Sequence, residues 1–413
     1  MSNKKRKIIE GVIAILGVLL ILCGCSKKES KMQTQAKDSK NITSNENKAE
    51  NSYMKEANKA FSRAKVAPAS DFSYGLTDSG DGVVIKKYIK KKSDEDVEII
   101  IPSEIEGMPV VELADRAFAS SIVKTVVIPD SILRIGEQLF SDSAQLKYVK
   151  LSTSITSLPV YIFMNCKSLE YFVIPSHITN IESDAFSGSG LRTIEIPETV
   201  TFKCNYFNDK QKYSSGVFNS CKNLEYVSLP NTMTVLPSYF FSGCVSLKNI
   251  KLPASIEKIE DSVFKGCENL EYVDLPPSLV SLGDAFNESG IKSLIIPDSV
   301  TDCRIESLSS CNRLEKVILP NSMTIITNSL FNRGLAPCSS LKSINLPKSL
   351  TVIEYEAFFR ISSLSEIIVP EELSSVEFKT NDFGHTDAFR GTSLPLATQA
   401  KLKKLGYTGD FIL

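Results

Sequence analysis

The stretch "FKGCENLEYVDLP", Phe264 to Pro276, contains the pattern that decides the fold. Close copies recur as "FMNCKSLEYFVIP", "FNSCKNLEYVSLP", "FSGCVSLKNIKLP" and "LSSCNRLEKVILP". Within "LEYVDL", the apolar residues Leu270, Val273 and Leu275 are interspersed with polar ones, as in a strand with one buried face. The proline ends the strand because it has no N–H to donate.

The closing proline marks a repeat. Aligned on it, the chain has Ser152 in place of one proline and prolines at the positions Pro129, Pro175, Pro197, Pro230, Pro253, Pro276, Pro297, Pro320, Pro347 and Pro370. Most intervals are 23 residues, a period typical of solenoids, in which a unit buries its apolar face only by stacking on its neighbours. We therefore predict parallel strands about 4.8 Å apart. Two longer intervals contain "CNYFNDKQKY" and "NRGLAPC", which we expect to form surface loops.

The unit also predicts a second apolar face and a central aromatic residue. After the proline, "SLVSL" returns with Leu279 and Leu282 pointing inward, and Phe286 follows in the interior.

The start of the chain, "MSNKKRKIIEGVIAILGVLLILCGCSKKES", indicates export. Four cations at positions 4–7 precede an apolar run from Gly11 to Gly24, which is shorter than the roughly 20 residues that span a bilayer. A basic head followed by a short apolar run is typical of a signal peptide, predicted here over residues 1–24.

The end of that run resembles the lipobox of bacterial lipoproteins. Leu22, Gly24 and Cys25 match it, whereas Cys23 is uncommon at its position. The resemblance implies cleavage before Cys25 and lipidation of its thiol, which would anchor the chain on the extracellular face of a bacterial membrane or envelope. The alternative is a signal peptide followed by an incidental cysteine.

Residues 25–67 contain few large apolar side chains and are expected to form a disordered spacer after the lipidated cysteine. Within them, "YMKEANKAFSRAK" indicates a short helix.

The repeating unit resembles the BspA-type leucine-rich repeat of bacterial surface proteins, over about residues 98–394. The resemblance implies a leucine-rich repeat solenoid: a right-handed β/α superhelix of short parallel strands, turns and short helices. "FSYGLTDSGDGVVIKKYIKKK" and the following "IPSEIEGMPV" resemble the family's opening cap, which we place at residues 68–110, with repeats at 111–394. "LPLATQAKLKKLGYTGDF" resembles its closing helix, within a cap at 395–413.

Six cysteines share one position of the unit, called here the cysteine slot: Cys166, Cys221, Cys244, Cys267, Cys311 and Cys338. The slot lies between two core positions, and Ser143 or Ile361 fills it elsewhere, so we predict that it requires a small or apolar buried group and not a thiol. Parallel side chains disfavour both disulfides and a metal site. Cys204 and Cys303 lie off the slot, and the pattern assigns them no role.

Enzyme chemistry has little support. His177 occupies a turn position that serine fills in other units, so we expect a solvated surface histidine. His385 has Asp382 and Asp387 nearby, but neither a nucleophile elbow nor an H-E-x-x-H motif accompanies it. We predict no catalytic residue, metal site or cofactor.

The formal net charge of −1 argues against nucleic-acid binding, and the lysines of "IKKYIKKK" are interpreted as a solvated hairpin.

Two residues per strand are predicted to point outward and form two columns. The first is Tyr148, Tyr171, Thr193, Tyr226, Asn249, Tyr272, Ser293, Lys316, Ser343 and Glu366. The second is Lys150, Val173, Glu195, Ser228, Lys251, Asp274, Ile295, Ile318, Asn345 and Ile368. Tyrosine is enriched at protein interfaces, and exposed rows of apolar residues suggest a partner. The candidate ligand-binding residues are Tyr148, Tyr171, Tyr226, Tyr272, Ile295, Ile318 and Ile368. Cross-strand packing is the alternative explanation.

The sequence therefore predicts a membrane-anchored extracellular protein that binds or adheres through its repeat surface. The family resemblance implies an extracellular protein partner, such as a protein of the host matrix or of a cell surface. A glycan- or nutrient-binding accessory lipoprotein is the alternative, because aromatic faces also stack on sugars. An unrecognised hydrolase is a third hypothesis.

Overall fold

The computed structural model describes residues 51–90, 97–203, 216–303, 308, 310–331 and 338–412. The chain divides into two compact units. In the first, Met1–Asn58, residues 51–58 are helical; in the second, Lys59–Leu413, residues 59–63 are helical and are called α1. The second unit is a parallel β-solenoid, and each of its turns is called a coil here.

One side of the solenoid is a ladder of short parallel strands, called ladder A. Its members are β1 (Lys65–Val66), β4 (Val97–Ile100), β7 (Val123–Val127), β9 (Tyr148–Lys150), β12 (Thr193–Glu195), β14 (Tyr226–Ser228), β16 (Asn249–Ile250), β18 (Tyr272–Val273), β20 (Ser293–Ile295), β22 (Lys316–Ile318), β24 (Ser343–Asn345) and β26 (Glu366–Ile368). Equivalent residues of successive coils pair in register within three runs, β1 to β9, β12 to β14 and β16 to β26, as Thr193 does with Tyr226. Tyr171 continues the ladder through a single bridge to Thr193.

A second set of parallel strands, ladder B, follows the turn after each proline. Beyond the opening cap its members are β8 (Arg134–Ile135), β10 (Ser157–Leu158), β11 (Asn180–Glu182), β13 (Thr201–Lys203), β15 (Val235–Leu236), β17 (Lys258–Ile259), β19 (Ser281–Leu282), β21 (Asp302–Cys303), β23 (Ile325–Ile326), β25 (Val352–Ile353) and β27 (Glu377–Phe378). The ladder is interrupted after β8, β13 and β21. At two of these interruptions the next strand is followed by proline, Pro159 or Pro237, which lacks the N–H that would continue the ladder.

Turns, and not helices, connect ladder B back to ladder A. Residues two positions before and two after the central phenylalanine repeatedly have φ values of 53° to 71°, as Tyr161 and Asn165 do around Phe163. Their amides donate to the next coil; Asn165 N lies 2.8 Å from Ser187 O. The turns thus form a third inter-coil hydrogen-bonding surface.

A stack of buried phenylalanines fills the interior: Phe118, Phe140, Phe163, Phe186, Phe218, Phe241, Phe264 and Phe286, then Phe331, Phe358 and Phe389. Successive ring centroids within each run lie 5.0 to 6.0 Å apart, and most rings are stacked. Leu308, also fully buried, lies between the two runs in the sequence. One coil alone cannot cover its aromatic side chain, so each coil stacks on its neighbours and the coils share a continuous core.

Distinct elements close the ends. At the N-terminal end, β2 (Phe72–Leu76) and β3 (Val83–Tyr88) form an antiparallel hairpin, and β5 (Glu104–Ile105) pairs antiparallel with β6 (Met108–Leu113). A 3-10 turn, Ala69–Asp71, precedes the hairpin. At the other end, α2 (Leu396–Lys404) leads to Tyr407, whose ring lies 5.1 Å from that of Phe389.

The solenoid of parallel strands predicted from the 23-residue period is confirmed. The expected disordered spacer at 25–67 is too long at its C-terminal end, because β1 pairs with β4 and Ala60 is fully buried. The end of this segment packs on the solenoid although its composition is polar. Its alanine side chains are small, and Lys65 and Val66 pair in register with β4.

Candidate binding surface

The outward residues of ladder A form a continuous surface, called the strand face. Tyr171, Tyr226 and Tyr272 are each half-buried on it. Ile295 is 52% exposed and Ile368 is 45% exposed, whereas Ile318 is half-buried. Parallel pairing places Ile295 directly beside Ile318, so the face has a tyrosine-containing half and an isoleucine-containing half.

Tyr148 differs from the other tyrosines because it is only 7% exposed. The Phe61 ring meets it edge-on, with centroids 6.5 Å apart, and Lys147 Nζ lies 5.5 Å from the Tyr148 centroid. The predicted outward position is thus covered by a residue that the sequence placed in the spacer.

A shallow cavity of about 210 Å³ opens on the strand face at the boundary between its two halves. It is lined by Tyr272, Val273, Asp274, Leu275, Ser293, Ile295 and Pro297. The gap arises because the small Ser293 follows Tyr272 in the same column. Two predicted site residues, Tyr272 and Ile295, therefore lie together around one depression.

One edge of the strand face has charges that alternate in sign from coil to coil: Lys147, Glu170, Arg192, Glu225, Lys248, Glu271, Lys292, Glu315 and Lys342. Arg192 pairs with Glu225 at 2.6 Å, and Lys292 pairs with Glu271 at 2.8 Å. The hydrogen bond from Lys292 holds the pKa of the Glu271 carboxyl below its usual range. The residue-by-residue prediction missed this edge, although alignment of the units shows the alternation directly.

A second cavity, of about 430 Å³, lies on ladder B where β13 and β15 do not pair. The threonines Thr201, Thr232 and Thr234 line it together with Phe202. The Lys258–Glu260 ion pair, 2.8 Å long, stands in its wall.

All six slot cysteines are fully buried. The thiols of Cys166, Cys221, Cys244, Cys267 and Cys311 donate to the backbone carbonyl of a core phenylalanine in the preceding coil, with S···O distances of 3.0 to 3.2 Å. Ser143 makes the equivalent hydrogen bond to Phe118 O at 2.7 Å. Burial raises the pKa of Cys267 and Cys338 to about 12, and that of Cys221 and Cys311 to about 11. The slot holds neutral thiols, which are poor nucleophiles.

The described cysteines form no disulfide. Cys303 lies in β21 opposite Leu282 and is half-buried, so it takes an inward position of ladder B. Cys25, the predicted lipidation site, and Cys204 lie outside the described residues.

The prediction of a solvated His177 is wrong in part. The side chain is half-buried, and its Nε2 atom is buried without a hydrogen-bond partner in the described structure. The imidazole is larger than the serine that usually fills this turn position, so part of it contacts the solenoid. His385 is exposed in a turn in which Asn381 Oδ1 accepts the amides of Phe383 and His385.

The described part of the chain contains no cluster of three or more His, Cys, Asp or Glu side chains suited to a metal. Nor is any helix within those residues long and apolar enough to cross a membrane.

The repeats of this chain match a known protein-family model. The family model of the BspA type leucine-rich repeat region matches six copies, at residues 85–214, 211–336 and 335–386. The chain belongs to the BspA-type leucine-rich repeat family. BspA-type repeat proteins are bacterial surface proteins that generally bind proteins or act in adhesion, and the family is generally non-enzymatic.

Solved structures agree with this assignment. A leucine-rich repeat protein from Bacteroides ovatus is 25% identical, with a TM-score of 0.59, and the match covers 84% of this chain and 99% of that one. A leucine-rich cell surface protein from Faecalibacterium prausnitzii is 22% identical, with a TM-score of 0.50, over 83% of this chain and 98% of that one. The search of curated proteins found no match.

Proposed function

We propose that this BspA-type protein is lipid-anchored through Cys25 on the outside of a bacterial cell and binds an extracellular protein through its strand face. The observation that carries the binding proposal is the depression between Tyr272 and Ile295, set in a row of half-buried tyrosines and exposed isoleucines. Aromatic and aliphatic side chains around a small pocket are typical of interface hot spots. The basic, apolar and cysteine-containing start of the sequence supports the anchor.

The test is binding of the full chain to arrays of extracellular matrix proteins and glycans. We expect protein signals that the triple variant Tyr226→Ala, Tyr272→Ala, Ile295→Ala weakens at least about tenfold, because it removes Tyr272 and Ile295 from the depression and Tyr226 from the same column of the strand face. Tyr148 is left unchanged because Phe61 covers it.

The control changes three exposed apolar residues in or next to the strands of ladder B, Leu133, Val280 and Ile325, to alanine. It removes exposed apolar side chains from the same fold without changing the strand face, so protein binding should persist. Equal loss in both triple variants would contradict a role for the strand face.

Glycan binding is the second candidate, and the cavity between β13 and β15 favours it. Its threonine hydroxyls, the Phe202 ring and the Lys258–Glu260 pair offer both stacking and hydrogen bonds to a sugar. Array signals on glycans that survive the strand-face triple variant would favour this cavity instead.

A further inference from the structure

The strand face already holds one helical segment of the chain. Arg63, at the end of α1, contacts Glu98 with Nη2 to Oε1 at 2.7 Å and Nε to Oε2 at 3.0 Å. Two residues earlier, Phe61 contacts Tyr148. In ladder A, Thr125 pairs with both Glu98 and Tyr148 and is fully buried, as is Ala60. The end of the helix is therefore seated across three neighbouring strands.

Glu98, Thr125 and Tyr148 lie side by side on three neighbouring strands. Thr125 is small and stands between the two larger side chains, so these three residues are called the first saddle. Three strands about 4.8 Å apart span about 10 Å, which is close to the width of an α-helix with its side chains. A helix with a small residue at the contact can thus lie on the threonine, with its neighbouring side chains reaching the flanking strands.

The next three coils repeat this arrangement. Tyr171 pairs with Thr193, and Thr193 pairs with Tyr226, so a threonine again stands between two larger residues; this trio is the second saddle. Thr193 is half-buried where Thr125 is fully buried, so solvent reaches the second saddle. Glu195, two residues after Thr193 on the same strand, has an exposed carboxylate; in the first saddle the carboxylate belongs to Glu98, on the strand next to Thr125.

We propose that the second saddle binds an amphipathic α-helix of a protein partner. The helix would place a small residue on Thr193, an aromatic residue against Tyr226 and a cation near Glu195. This inference rests on the proposed protein-binding function and specifies the partner's secondary structure. Its support is the contact of α1 with the preceding coils on the same side of the solenoid, and helix-in-groove recognition uses the same physics.

The probe is a fluorescein-labelled synthetic peptide of residues 51–67, titrated with the full chain and followed by anisotropy. We expect saturable binding that Thr193→Arg weakens at least about tenfold, because the long side chain fills the saddle. The peptide variant Ala60→Glu should lose binding to the same extent, since a carboxylate would replace the small contact residue.

The matched control is Thr351→Arg, at an exposed threonine on the ladder B side, which should bind the peptide as the unchanged chain does. Absence of peptide binding, or binding that Thr193→Arg leaves unchanged, would overturn the inference. The second outcome would mean that the peptide exchanges with α1 at the first saddle.

The array assay separates this inference from the proposed function. A matrix protein whose binding depends on Tyr272 and Ile295 but is unaffected by Thr193→Arg would preserve the strand-face proposal and overturn the helix-binding inference. Loss of that signal in Thr193→Arg, with peptide binding also lost, would support both.

Discussion

Each slot thiol occupies a position where two requirements meet: little volume and one hydrogen-bond donor. The phenylalanine carbonyl that accepts from Cys244 also accepts from the Cys221 amide at 3.1 Å, so the thiol supplies its second hydrogen bond. Ser143 satisfies both requirements with a hydroxyl. Ile361, fully buried in the same slot, is larger than cysteine and has no side-chain donor, so neither requirement holds strictly in that coil.

Burial of these thiols predicts a graded reactivity. On brief alkylation of the native protein at pH 8, Cys303, which is half-buried, should be modified well before Cys166, Cys221 or Cys244. Mass spectrometry of the digested protein assigns the label to each cysteine, and the urea-unfolded chain gives the fully labelled reference. Slot cysteines labelled as fast as Cys303 would show that the coils open readily.

Burial of the slot was predictable because its neighbours in sequence are core residues. The S–H···O hydrogen bond was not predictable, since it depends on how far one coil is displaced from the next.

Tyr148 shows a related limit of prediction from sequence. Its column position predicts an outward side chain correctly, but the cover comes from Phe61, about ninety residues earlier in the sequence, and no local pattern reports that contact.

At the scale of the element, the turns around the phenylalanine stack depend on left-handed backbone. Gly266 has φ 67°, and a Cβ there would meet only Gly243 atoms, at 3.7 Å and beyond. Gly290 is different: its Cβ would lie 1.9 Å from Glu268 O, because that coil is shortened and its turn runs against the preceding one.

These two glycines give a paired prediction. Gly266→Ala should lower the free energy of unfolding by about 1 kcal/mol, the cost of a Cβ in left-handed backbone. Gly290→Ala should lower it by about 3 kcal/mol, because backbone has to move. Urea unfolding followed by circular dichroism measures both. Equal losses would show that conformation and not close approach sets the requirement for glycine.

The strands were the most predictable elements. Inward and outward residues alternate within each strand, and the strand recurs every 23 residues, so only one arrangement points all the leucines inward. The connections were less so. Short helices were expected, but left-handed residues such as Asn165 bend the chain every few positions, which prevents a continuing helix. The interruptions of ladder B could have been anticipated from Pro159 and Pro237, whereas the binding depression needed the relative positions of Tyr272 and Ser293.

At the scale of the whole molecule, ionisation of the slot thiols makes the free energy of unfolding depend on pH. A free cysteine has a pKa of about 8.5, whereas burial raises the pKa of Cys267 in the folded chain to about 12. Below about pH 8.5 such a thiol is protonated in both states, and its contribution to stability is complete. Above that pH the unfolded chain loses protons that the folded chain keeps, so the free energy of unfolding falls until the folded pKa is passed.

Each such thiol should therefore remove about 1.4 kcal/mol per pH unit between about pH 9 and pH 11. Lysines and tyrosines titrate in the same range, so the measurement is a difference between two chains. We expect the stability of Cys267→Ser relative to the unchanged chain to rise with pH at about this slope in urea unfolding at pH 9, 10 and 11. Ser143→Ala is the control, since it removes a slot hydrogen bond without removing a titrating group, and its relative stability should not vary with pH. A Cys267→Ser difference that is equally flat would mean that thiolates are accommodated inside the solenoid.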